Sequence, residues 1–158
     1  MTSPRRKGWT AALSLVVALA LTIVPLPAAA EPFRPDFAAL VLLYWALYWP
    51  QRVGLGVAFV VGLVLDTLKG AVLGQHALAL CIIMYIAMRF HLRIRVFPLG
   101  QQMLTILMLL VVYQFVLFWI DGVVGTGDIS LYRWGAVLTG TLMWPIATRV
   151  LRRLRLAS

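Results

Sequence analysis

The chain has 158 residues, 63% of them apolar and only 12% charged, with a net charge of +9. That balance lies outside the range of soluble domains, and once each apolar run takes the roughly 20 residues of a spanning helix, no separate soluble domain fits. The basic residues stand at the ends of apolar runs instead of on a polar face among aromatics, which excludes a nucleic-acid groove, and a lone Cys81 excludes a disulfide framework or a thiolate metal site.

The apolar runs predict an all-α fold, a polytopic membrane helical bundle of about six transmembrane helices in one domain, with spans near residues 9–27, 37–50, 53–68, 74–88, 101–120 and 131–150. The first follows Arg5, Arg6 and Lys7 and ends at Pro25 and Pro27, before Ala28, Ala29 and Ala30. A cleavable signal peptide shares this pattern, but residues 9–27 are long enough to cross, which favours a retained span. Pro35 and Asp36 start the second run, with the carboxylate where the helix dipole favours it. Near the end of that run Tyr44, Trp45, Tyr48 and Trp49, beside Arg52, read as an interfacial aromatic belt.

In the third span Gly54, Ala58, Gly62 and Asp66 recur every four residues, so a helix places three small residues and one carboxylate along a single stripe. Small residues at this spacing let two backbones approach closely, and an acid among apolar residues needs a partner. Asp66 sits near the C-terminal end of its helix, where the dipole opposes it. Lys69 or Arg133 is the expected cation, with a ligand or a partner protein as the alternative.

Lys69, Gly70 and Gly74 mark the turn into the fourth span, which opens on Gln75 and His76, the latter read as a satisfied packing residue. The alternation of basic and apolar residues over 89–96 predicts a cytoplasmic basic surface of Arg89, Arg93 and Arg95 lying along lipid headgroups. The fifth span leads into a polar loop at 121–130. In the sixth, Ala136 and Gly140 repeat the small-residue spacing, and Pro145 frees the carbonyl of Thr141 and predicts a kink, with the Thr141 hydroxyl or a neighbouring helix to compensate. The tail, with Arg149, Arg152, Arg153 and Arg155, is basic and short.

With both termini in the cytoplasm, only Arg34, Lys69 and Arg133 of the 14 basic residues fall on the outer side, so the positive-inside rule predicts that orientation. An aspartyl intramembrane protease needs a second acid facing Asp66, and a serine protease needs a buried Ser–His pair; the sequence supplies neither. No catalytic, cofactor-binding or metal-ligating set is expected.

Taken in order, Arg34-Pro35-Asp36, Tyr44-Trp45 followed by Pro50-x-Arg52-Val53, Gly62-x-x-x-Asp66, Leu73-Gly74, Gln101-Gln102 and Trp144-Pro145 resemble the rod shape-determining protein MreD family of bacteria. The resemblance covers the chain from about residue 34 onward. It implies a non-enzymatic scaffold subunit of the cell-elongation (rod) complex in the bacterial inner membrane, without cofactors. The implied fold is similar to the substrate-binding subunit of energy-coupling-factor vitamin transporters. The implied direct partner is MreC, a single-span protein with a large periplasmic part, within an assembly that includes MreB, RodA and a class B penicillin-binding protein for peptidoglycan synthesis. On that view Gly54, Ala58 and Gly62 receive the partner's transmembrane helix, with Asp66 and Arg34 as polar contacts on the outer side. The alternative is a substrate-binding membrane subunit of a vitamin transporter, which needs an outward pocket of convergent polar groups; Asp66, Gln75 and His76 are the groups at that depth. A proton-coupled carrier built on Asp66 lacks a relay of further intramembrane acids.

Overall fold

A computed structural model describes residues 4–125 and 131–157, so the later half of the expected loop at 121–130 lies outside the described residues. Among the described residues the α-helices are α1 (Pro4–Ile23), α2 (Phe37–Tyr48), α3 (Leu55–Lys69), α4 (Gln75–Arg89), α5 (His91–Arg95), α6 (Leu99–Val124) and α7 (Gly135–Ala157), with 3-10 turns at Glu31–Phe33 and Leu131–Trp134. Arg5–Ile23 and Leu99–Val124 are long and apolar enough to cross a membrane by length and composition, and Gln75–Arg89 is a shorter apolar helix.

Local chemistry accounts for most of the boundaries. Asp36 caps α2, its side chain accepting the Ala39 amide at 3.3 Å. Gly70 (φ 62°) closes α3 and Gly74 (φ 98°) precedes α4; both take the left-handed region, where a β-carbon is strained. Two helices continue beyond their apolar runs. Asp121 belongs to α6 instead of a loop, and α7 continues through the basic tail, where no glycine or proline stops it and the cations face the negative end of the dipole. The segment at 89–96 contains the short α5, with Ile94 buried and Arg89, Arg93 and Arg95 exposed.

The long helices alternate in direction. At one end Lys69 meets Asp36 and Arg133 meets Asp121; at the other, Met88 lies beside Gly54 and the Arg155 guanidinium stands 4.5 Å from the Tyr48 ring centroid. In the middle lies α2, buried from Ala38 to Leu47 except at Val41 and packed on α1, α4, α5 and α7. Tyr44 and Trp45 therefore belong to the core and not to an interfacial belt. Burial of Trp45 is possible because its Nε1 donates to the Ser14 hydroxyl at 2.9 Å, so its polar edge needs no water.

The closest helix pair is α3 and α4. A β-carbon on Gly62 would stand 2.2 Å from the Ala77 Cα, so only glycine permits this crossing, and Ala58 and Gly62 are both buried. The stripe expected to receive a partner helix is thus filled by α4. Gly54 precedes α3, and its carbonyl accepts the Ala58 amide at 3.1 Å. In α7, Pro145 lies within the helix, and the Thr141 hydroxyl donates to the Val137 carbonyl at 2.9 Å instead of serving the carbonyl that the proline frees. Next to it Trp144 donates to Gln102 Oε1 at 3.0 Å, and Gln102 Nε2 donates to the Ile94 carbonyl at 3.3 Å, joining α7, α6 and α5.

Overpacking at the tight crossing should be costly. Gly62→Leu is expected to lower stability in detergent by about 1–3 kcal/mol. Gly56→Ala, where nothing lies within 4 Å of the added β-carbon, should leave it unchanged or raise it. Thermal melts followed by circular dichroism measure both.

Candidate functional site

The α1–α2 and α3–α4 connections and the 3-10 turn at Leu131–Trp134 meet at one end of the bundle. Between them opens a cleft of about 640 Å³ whose lining includes Arg34, Asp36, Lys69, Gln75, His76, Tyr113, Gln114, Asp121 and Arg133.

Asp66 holds the α3–α4 side of this region in place. The residue is 1% exposed; Oδ2 accepts the Gly74 amide at 2.7 Å, and Oδ1 accepts the His76 amide and meets the His76 Nδ1, each at 2.8 Å. Those amides belong to the start of α4, so a carboxylate at the unfavourable end of one helix is answered by the favourable end of the next. The cations expected for Asp66 are engaged elsewhere. Lys69 Nζ lies 3.8 Å from Asp36 Oδ2, and Arg133 Nη1 lies 2.6 Å from Asp121 Oδ2. A short turn with two left-handed glycines aims the α4 amides at Asp66, and direct hydrogen bonds satisfy a buried carboxylate better than a distant charge does.

Asp36 joins three elements, since its side chain caps α2, accepts the Tyr113 hydroxyl of α6 and faces Lys69 of α3. Burial pushes its carboxyl up, but the Lys69 ammonium and then the Tyr113 hydroxyl outweigh that and hold it below the usual carboxylate range. Arg34 donates to the Thr22 and Val24 carbonyls around the end of α1 and pairs with Glu31 at 3.3 Å. It therefore fastens the α1–α2 connection, and its Nε is buried without a partner among the described residues. Gln75 Nε2 reaches Asp121 Oδ1 at 2.7 Å and the Leu117 carbonyl at 3.4 Å, tying α4 to α6. Gln114, 7% exposed, lines the cleft with no hydrogen-bond partner among the described residues.

Of the residues singled out from sequence, the structure brings Arg34, Gln75 and His76 to this cleft and Asp66 to its supporting wall, and leaves Gly54, Ala58 and Gly62 along the α3 packing face. Tyr113 and Gln114 were missed. A signal existed, because an amide in the interior of a 26-residue apolar helix demands a partner or a cavity. On another side of the bundle an apolar groove of about 650 Å³ runs between α1, α2 and α7, with Ser14, Ala18 and Ala147 among its lining residues.

Asp66→Ala would strand two backbone amides and a ring nitrogen, and should destabilise the bundle by at least about 3 kcal/mol. Asp66→Asn, which keeps one acceptor, should lose about half of that. Lys69→Met, at a half-exposed pair, should cost less than about 1 kcal/mol. Equal losses at Asp66 and Lys69 in thermal melts would show that charge pairing, and not amide capping, holds the seam.

A family model described as rod shape-determining protein MreD matches residues 5–154. A rod shape-determining protein MreD of Haemophilus influenzae is 32% identical over 151 residues, which is 93% of this chain and 91% of that one. No solved structure matches. The match includes α1, which the motifs from residue 34 onward did not reach, and runs through both the Asp66 seam and the cleft into α7. On that coverage the chain belongs to the MreD family of rod shape-determining membrane proteins.

Proposed function

We propose that the chain is a non-catalytic, multi-pass subunit of the bacterial inner membrane, crossing it six times with both termini in the cytoplasm. It binds MreC, and through that contact helps place the peptidoglycan-synthesising assembly of MreB, RodA and a class B penicillin-binding protein. The observation that carries this reading is the apolar groove between α1, α2 and α7. In lipid, helices associate by close packing, and a groove with Ser14, Ala18 and Ala147 in its lining suits a single transmembrane helix. Because α4 already fills the Gly62 seam, the partner's helix is assigned to this groove instead.

The alternation of the helices supports this sidedness, because it puts Arg52, the exposed Arg89, Arg93 and Arg95, and the basic tail together at the end opposite the cleft. The positive-inside rule places that end in the cytoplasm.

Filling the groove should break the complex and spare the fold. Val17→Trp and Ala147→Trp are each expected to abolish copurification with MreC from solubilised membranes while leaving membrane insertion and the thermal midpoint unchanged. Phe59→Trp, on the exposed face of α3, should retain MreC. Full recovery of MreC with both groove variants would refute the assignment.

A further inference from the structure

Helix packing does not account for all the polar groups of the cleft. Gln114 lines the cleft from α6 with its side-chain amide unbonded among the described residues and not sealed off, so the amide opens into the cleft and is available to a ligand. His76 directs Nδ1 at Asp66; a carboxylate accepts, so the neutral ring carries its proton on Nδ1 and presents Nε2 as an acceptor. At the rim, Lys69 Nζ pairs with Asp36 at 3.8 Å by charge alone, beyond hydrogen-bond range, so its N–H donors remain available to a ligand.

These groups define a ligand by complementarity. The formal charges of the lining balance, with Glu31, Asp36 and Asp121 paired to Arg34, Lys69 and Arg133, so the cleft carries no net charge that favours a simple ion of either sign. Two neutral acceptors, Gln114 Oε1 and His76 Nε2, suit an ammonium with several N–H groups. Lys69 and Arg133 stand on different elements, and an anion that serves both needs several oxygens, as a phosphate has. The volume of about 640 Å³ is in the range of small-ligand sites, and Leu110, Leu117 and Val137 supply apolar wall.

We propose that the cleft binds a zwitterion with the chemistry of phosphoethanolamine, its ammonium on Gln114 and His76 and its phosphate between Lys69 and Arg133. The group comes either from a free solute or from a lipid headgroup. The second route is open because the cleft adjoins the apolar groove where Thr22 follows Leu21 and Asp36 precedes Phe37. The proposal does not rest on MreC binding.

Native mass spectrometry of the full chain tests it, using nanodiscs that contain phosphatidylethanolamine and phosphatidylglycerol, and detergent-solubilised protein titrated with sn-glycero-3-phosphoethanolamine. A retained phosphatidylethanolamine adduct assigns the lipid source, and a saturable adduct with the soluble headgroup assigns the solute. In either case Gln114→Leu should weaken binding about tenfold. The same substitution breaks no hydrogen bond among the described residues, so the thermal midpoint of delipidated protein should hold, which separates lost binding from lost fold. Lys69→Met, on the rim, should weaken binding without touching the buried floor. No adduct with either probe, equal retention of phosphatidylglycerol, or undiminished binding in either variant overturns the proposal.

Discussion

The bundle depends on one buried carboxylate. Asp66 lies where its own helix repels negative charge, and it is tolerated because the first amides of α4 and the His76 ring are aimed at it. That requirement dictates the turn between α3 and α4, including the two left-handed glycines, and brings the helices to a crossing so close that Gly62 has no room for a β-carbon. The same contact orients His76 and, one residue before it, Gln75, which reaches across to α6. The cleft is therefore a consequence of how α3 is joined to α4.

Much of this was legible in the residues. Proline, glycine and Asp36 punctuate the apolar runs, and the helices begin and end within a few residues of those marks. The need of Asp66 for a partner was also legible, but not the partner, since backbone amides are invisible to an inspection of side-chain charge. The small-residue stripe announced a tight seam; which helix fills it is tertiary information. Tyr44 and Trp45 misled because aromatics beside an arginine look interfacial, whereas Ser14, distant in sequence, satisfies Trp45 in the core. Polarity does not end a helix here: Asp121 continues α6 beyond its apolar run, and the basic tail continues α7.

The two flanks of the molecule differ in kind. On the α3–α4–α6 side, glycine crossings and side-chain bridges close the packing, while α1 and α7 leave an apolar trough between them. Several of the separate sequence signatures also prove to be contact pairs: the Asp66 motif meets Gly74, and Gln102 meets Trp144.

That last pair has a polarity of its own. Trp144 can only give a hydrogen and the Ile94 carbonyl can only take one, so the side chain between them must take with one atom and give with another. Glutamate would set an oxygen against an oxygen, and leucine would orphan both neighbours. Position 102 therefore calls for an amide, held in a single orientation by the indole on one side and the backbone of α5 on the other.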